Sequence, residues 1–248
     1  AAMSAPKRAM VLAAGLGTRM RPLSLATPKP LIEVAGRPLI DHMLDRLAAA
    51  GVTFAVVNVH HLADKVIAHL KKRTDMEIVI SDETAKLLDT GGGTLASLHH
   101  FRDEPFFSVN TDALFVDARG DALARLARSW DETRMDALML LALTVRSVGY
   151  HGRGDFTMDA AGRLKRRRAG TVAPFVWTTI QIVHPRLFAD APPAPFSTNV
   201  VWDRAIAAER LYGQRLDGDW LEINTPEAIV EAETWLDQEG LWQRSGTR

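Results

Sequence analysis

The chain has 248 residues, 30 basic and 30 acidic side chains, a formal net charge of zero and no cysteine. With 47% hydrophobic and 24% charged residues it has the balance of a globular chain with a full core, which excludes disordered, collagen-like and disulfide-scaffold classes. The missing cysteines exclude thiol nucleophiles and Cys-based zinc or iron–sulfur sites, and the neutral total offers no broad field for a nucleic acid.

Ala1 and Ala2 ahead of Met3 read as an expression scar. The first apolar piece, Ala9 to Ala14, is too short for a cleavable leader, and no apolar run approaches the roughly 20 residues that span a bilayer, so a cytoplasmic protein is expected. Ala9 to Ala14 instead reads as a buried strand ended by Gly15. Leu39, Ile40, Met43, Leu44 and Leu47 recur at helical spacing, and Gly51 supplies a stop. Phe54 to Val59 is a second strand, Val66, Ile67 and Leu70 a helix, and Ile78 to Ile80 a third strand. Asp89 to Thr94 reads as a Gly-rich loop ahead of a helix from Thr94 to His100; Phe106 to Val109 is another strand. Leu123 and Leu126 sit on a helix, and Ala137 to Val145 is a long apolar strand.

This alternation implies parallel βαβ units: an α/β fold with a Rossmann-like open, mostly parallel sheet and helices on both faces. Ligands of such sheets bind beyond the carboxyl ends of the strands, which points to the loops at Gly15, Asp82 and Asn110. After about residue 150 the pattern loosens into strands at Phe156–Met158 and Phe175–Val183, a Pro-rich loop from Pro185 to Pro195, and helices over Trp202–Glu209 and Pro226–Leu236. Residues 3–248 read as a single domain.

The chemistry starts at Gly15-Leu16-Gly17-Thr18-Arg19-Met20-Arg21-Pro22. Met20 stands where a dinucleotide fingerprint needs its third glycine, and the Gly-Lys-Ser/Thr of a Walker loop is absent. A strand ending in Gly-x-Gly still leaves bare amides for phosphate oxygens, with Arg19 and Arg21 as charged donors. Downstream, Thr27-Pro28-Lys29-Pro30-Leu31 fixes the backbone on both sides of Lys29 and suits a lysine aimed at a phosphate.

The two segments, at that interval, resemble the signature of the sugar-1-phosphate nucleotidyltransferases. The resemblance implies attack of a sugar 1-phosphate on the α-phosphorus of a nucleoside triphosphate, with Mg²⁺ as cofactor. It also implies a nucleotide-binding half over about 7–145 and a smaller sugar-phosphate half over about 146–240. In this reading Arg19 holds the leaving phosphates and Lys29 the α-phosphate as catalytic residues, while Ala13, Ala14, Gly15, Gly17, Thr18, Gly91, Gly92 and Asn110 bind the nucleotide. Asp112 closes Val109-Asn110-Thr111-Asp112, with Thr111 in place of a family glycine, and is the first expected metal ligand. Trp220-Leu221-Glu222-Ile223-Asn224-Thr225 stands where the family carries Trp-x-Asp-x-Gly-Thr, so Glu222 is the second ligand, with Asp219 a nearby competitor.

His151-Gly152-Arg153-Gly154-Asp155-Phe156, with the glycines at 91–93 and Val183-His184-Pro185-Arg186-Leu187-Phe188, looks like the bacterial N-acetylmuramate-1-phosphate uridylyltransferases of cell-wall recycling. Arg153 and Gly154 would then receive the sugar phosphate. Thr179 replaces a family glycine, and the usual Glu-Lys pair before that strand is missing. The run Leu164 to Arg168 reads as a solvated hairpin, and His60-His61 and His99-His100 as surface. UTP is the favoured nucleotide. A GTP-using mannose-1-phosphate guanylyltransferase and a non-catalytic nucleotide sensor are the alternatives; no nucleic-acid or membrane partner is expected, and the oligomeric state is open.

Overall fold

A computed structural model describes residues 5–243, so the expectation for Ala1 and Ala2 lies outside the described residues. The main sheet has nine strands, seven of them in the order Leu164–Arg166, Phe156–Met158, Phe175–Val183, Phe106–Asn110, Arg8–Leu12, Phe54–Val59, Glu77–Asp82. The last four run parallel, Phe175–Val183 runs against them, Ala137–Leu143 pairs with that strand, and Leu211–Arg215 pairs in turn with Ala137–Leu143. Strands covered on both faces must be apolar throughout, which is why Ala9, Met10 and Val11 form an unbroken run. Successive side chains still part company. Ala9 and Val11 enter a core shared with Ile40, Met43, Leu44 and Leu47 of the helix Leu39–Ala49, whereas Met10 enters the opposite core with Val201, Trp202 and Ala205 of the helix Asn199–Ala207.

The parallel register sets the ligand-binding edge. Leu12 is level with Asn58 on one side and Asn110 on the other, so three strand ends open on one crevice. A second, three-stranded sheet stands beside it: Ala113–Asp117, Gly218–Glu222 and Ser147–Val148, backed by the helix Pro226–Gln238. Leu114, Leu221 and Ile223 pack there on Ala232 and Leu236. The sequence gives no period-two signal for Ala113–Asp117, Leu211–Arg215 or Gly218–Glu222; these strands form because tertiary partners complete their ladders. Asp89–Thr94, expected as a loop, is instead the first part of a helix, Asp89–Ser97. Among the described residues no helix is long and apolar enough to cross a membrane.

The strand Phe175–Val183 slips register between Trp177 and Gln181. At this bulge Thr179 adopts φ 77°, left-handed backbone that a β-branched residue enters only under strain, and its buried hydroxyl has no partner. Relief of the left-handed penalty, about 1–2 kcal/mol, exceeds the extra chain entropy of glycine, about 0.5–1 kcal/mol. Thr179→Gly should therefore stabilise the fold and raise Tm by about 2–4 °C in thermal melts, and a Tm at or below wild type would contradict the strain.

Candidate active site

A cavity of about 480 Å³ occupies the crevice at the strand ends. The chain leaves Arg8–Leu12 and supplies Ala13, Ala14, Gly15, Gly17, Thr18 and Arg19 to its wall; Lys29 enters from one side and Asn110, Thr111 and Asp112 from the other. Nine of the proposed site residues thus line one cavity, together with Thr111, which stands where the family carries glycine. Gly17 has φ 61°, and a Cβ there would lie 3.1 Å from the Lys29 Cβ, so this glycine both turns the loop and makes room for the lysine. At Gly15 a Cβ would meet nothing within 4 Å; the backbone there faces open cavity.

Lys29 starts a short 3₁₀ turn, Lys29–Leu31, with Pro28 before it and Pro30 within it. Its Nζ donates to Asn224 Oδ1 at 2.7 Å and to Asp112 Oδ2 at 3.2 Å, and the side chains of Lys29 and Asp112 are 14% and 26% exposed. The other carboxylate oxygen, Asp112 Oδ1, is buried with no partner among the described residues. The Asp112 carbonyl accepts from the Ile223 amide at 3.0 Å, which ties the two acid-bearing segments together. In the ladder Glu222 pairs with Ala113, directly after Asp112. Burial, and then the Asp112 carboxylate, push the Glu222 carboxyl above its usual range, while Arg19, Lys29 and a hydrogen bond from Asn224 pull it down. Glu222 therefore stands within electrostatic reach of all three. Asp219, the competitor, is three residues away along the strand, on the opposite face, and is held by Arg146 at 3.0 Å.

Asn58 and Glu83 are cavity residues that the sequence did not mark as part of the site. Asn58 Oδ1 accepts from the Ala13 amide at 2.7 Å, and Asn58 Nδ2 donates to Glu83 Oε1 at 2.9 Å. Glu83, 2% exposed, also accepts from the Leu88 amide at 3.0 Å. This buried relay fixes the loop after the first strand to the wall opposite, and it engages the Ala13 amide expected to face the nucleotide. The visible signal was a single polar residue, Asn58, inside the apolar run Phe54–Val59.

Five of the expected residues lie outside the cavity lining: Gly91, Gly92, Arg153, Gly154 and Glu222, the last beside Asp112 in the ladder. The Gly91 and Gly92 amides both donate to the Phe196 carbonyl, at 2.9 and 3.1 Å. A Cβ on Gly91 would run into the Phe196 ring, and one on Gly92 would come within 2.7 Å of the Ala194 Cβ. These glycines admit the Pro-rich loop against the helix, while Asp89 and Thr90 just before them line the cavity. Gly154 has φ 78°, would meet the Ala173 carbonyl with any Cβ, and donates its amide to the Tyr150 hydroxyl at 3.0 Å. Arg153 is exposed. The basic run forms the strand Leu164–Arg166, with Arg166 paired to Asp203 at 2.9 Å and Arg167 bonded to the Gly154 carbonyl at 3.0 Å.

A family model described as the MobA-like NTP transferase domain matches residues 9–197. An N-acetylmuramate alpha-1-phosphate uridylyltransferase of Caulobacter vibrioides is 46% identical over 94% of this chain and 98% of its own length. One of Neisseria meningitidis is 32% identical over 95% of this chain and all of its own. Among solved structures, the inositol-1-phosphate CTP transferase of T. maritima superposes with a TM-score of 0.73 at 20% identity, over 96% of this chain and 99% of that one.

If Gly91 serves packing, Gly91→Ala should destabilise the protein by about 1–3 kcal/mol, the usual cost of overpacking, because the Phe196 ring and carbonyl must move. Nucleotide affinity of the folded fraction should stay within about threefold of wild type by isothermal titration. An intact Tm with a lost nucleotide affinity would return Gly91 to the binding surface.

Proposed function

The chain belongs to the MobA-like NTP transferase family and is a sugar-1-phosphate nucleotidyltransferase, and we propose that it transfers the uridylyl group of UTP to N-acetylmuramate 1-phosphate. The products are UDP-N-acetylmuramate and pyrophosphate. The observation that carries this reading is the meeting of Arg19, Lys29 and Asp112 on one cavity at the carboxyl ends of parallel strands. The sugar rests on the likeness to the Caulobacter vibrioides uridylyltransferase, which extends over nearly the whole of both chains.

An oxygen of the sugar phosphate attacks the α-phosphorus, and the bond from the α-phosphorus to the bridging oxygen breaks with its electron pair leaving on pyrophosphate. Two anions must come together, so positioning and charge neutralisation carry most of the barrier reduction. Lys29 presents its ammonium to the α-phosphate, and Arg19, exposed on the cavity wall, takes the leaving phosphates. Gly15 and Gly17 let the triphosphate lie against backbone, with Ala14, Thr18 and Asn110 around it. Arg153 is assigned the incoming phosphate of the sugar.

The residues present fit a hard divalent cation, and we assign Mg²⁺. Asp112 Oδ1 is buried and unpartnered, Glu222 adjoins it, and a like-charged pair that lifts the Glu222 carboxyl favours a cation between them. Asp112 and Glu222 would hold the metal, which would neutralise charge on the reacting phosphates.

Pyrophosphate release measured across UTP, GTP, CTP and dTTP with a panel of sugar 1-phosphates tests the reading. UTP with N-acetylmuramate 1-phosphate should turn over fastest. A faster GTP and mannose 1-phosphate pair would replace the substrates, and nucleotide binding without any release would replace catalysis by sensing. Lys29→Ala should lower kcat about 10²–10³-fold, the scale of losing one charge-stabilising donor. Activity should vanish with EDTA and return with Mg²⁺, and Asp112→Asn should not recover at ordinary Mg²⁺. Glu222→Gln should lose a comparable or smaller factor, while Arg153→Ala should raise KM for the sugar phosphate more than KM for UTP. Full Mg²⁺-dependent turnover in Asp112→Asn would move the metal elsewhere.

A further inference from the structure

Asn224 is a cavity residue in contact with Lys29 whose chemistry the reaction above leaves unused. It is 7% exposed, it lines the cavity, and it sits in a short stiff connection. On one side the strand Gly218–Glu222 ends, and the Ile223 amide is bonded to the Asp112 carbonyl. On the other, Thr225 caps the helix Pro226–Gln238, its hydroxyl accepting from the Ala228 amide at 3.2 Å. The backbone on both sides is pinned, so the carboxamide has little freedom.

The carbonyl oxygen accepts from Lys29 Nζ at 2.7 Å, closer than the 3.2 Å between that ammonium and Asp112, and the side chain lies near enough to Glu222 to help pull its carboxyl down. The lysine sets the orientation: an ammonium can only donate, so the atom facing it is the carbonyl oxygen, and a flipped amide would set donor against donor.

We propose that Asn224 is a positioning residue for Lys29, a neutral clamp that fixes the ammonium over the reacting phosphate without cancelling its charge. This rests on the reading of Lys29 as the α-phosphate cation. A carboxylate in the same place would also make the hydrogen bond, but it would add a third negative charge beside Asp112 and Glu222 and pair off the charge that the phosphate needs. A carbonyl dipole orients the lysine and leaves its formal charge available. The clamp matters because Asp112 alone is a poor anchor: it is a carboxylate with two claims on it, the lysine and the cation assigned to its other oxygen. A flexible four-carbon stem with rotatable donors loses its aim readily, and small misplacement of a catalytic group is costly. Among the described residues Lys29 Nζ makes no hydrogen bond beyond those to Asn224 and Asp112; the prolines at 28 and 30 and the contact with Gly17 fix only its base.

The test is a double-mutant cycle on purified full-length protein, with kcat and KM read from pyrophosphate release with UTP and N-acetylmuramate 1-phosphate. Asn224→Ala should lower kcat about 10-fold or more with both KM values within about threefold of wild type. In the Lys29→Ala background the same change should cost less than about twofold, because the clamp then has nothing to hold. Asn224→Asp, which keeps shape and hydrogen bond, should lose as much as Asn224→Ala. Equal losses in both backgrounds, or full activity in Asn224→Asp, would overturn the clamp and leave a structural or merely steric role.

A second readout does not depend on turnover. Labelling of Lys29 by an amine-reactive acid anhydride, followed by peptide mass spectrometry, should accelerate several-fold in Asn224→Ala and not in Asn224→Asp; equal rates in all three proteins would also overturn the clamp. If wild type releases no pyrophosphate with any pair but the labelling pattern holds, the assignment of function fails and the clamp stands. If wild type turns over and neither the cycle nor the labelling responds, the function stands and the clamp fails.

Discussion

The ammonium of Lys29 joins parts of the chain separated by 83 and 195 residues, through Asp112 and Asn224. That one constraint dictates much around it. The lysine must come from a turn stiffened by prolines, Gly17 must lack a side chain to let its stem pass, and the second sheet must bring Glu222 and Asn224 level with Asp112. A short sheet with a helix behind it supplies the last requirement, since a ladder fixes register residue by residue and a loop would not. Burial and the neighbouring Asp112 carboxylate raise the Glu222 carboxyl against the pull of Arg19 and Lys29, an electrostatic cost carried by a rigid scaffold so that phosphates meet a prepared site.

The glycines fall into two physical groups. Gly15 and Gly17 face the cavity or make room beside it, and their lack of a side chain serves approach to a ligand. Gly91, Gly92 and Gly154 pack against the protein itself: the first two donate their amides to the Phe196 carbonyl, with Gly91 under the Phe196 ring and Gly92 against Ala194, and Gly154 fits under the Ala173 carbonyl with φ 78°. Gly93 belongs with them, since a Cβ there would come within 2.6 Å of Glu83 Oε1. A string of glycines states that two backbones approach closely. It does not state whether the second body is a base or another segment of the chain.

Buried polar groups divide the same way. Asn58 and Glu83 are satisfied and hold two loops at a fixed spacing, so they define the shape of the cavity. Asn110 Oδ1 and Asp112 Oδ1 lie buried without partners at the strand end, where a ligand or cation would complete them. Thr179, strained and with an orphaned hydroxyl, marks the bulge beside the same strand, Ile180 being level with Val109.

Local chemistry is legible in the sequence by itself. Short continuous apolar runs mark the four parallel strands and helical spacing marks the helix Leu39–Ala49, because strands covered on both faces bury every residue and the helix buries one stripe. The Gly-x-Gly turn, Arg19, the proline-flanked Lys29 and Asp112 were readable too, because each depends on neighbours a few residues away. Tertiary structure decided what depends on distant partners. The strands Ala113–Asp117 and Gly218–Glu222 have no pattern of their own and exist through each other, so only the fold could separate Glu222 from Asp219 or bring Asn224 to Lys29. Asn58 and Glu83 became site residues in the same way, since a hydrogen bond across 25 positions leaves no periodic trace in the chain.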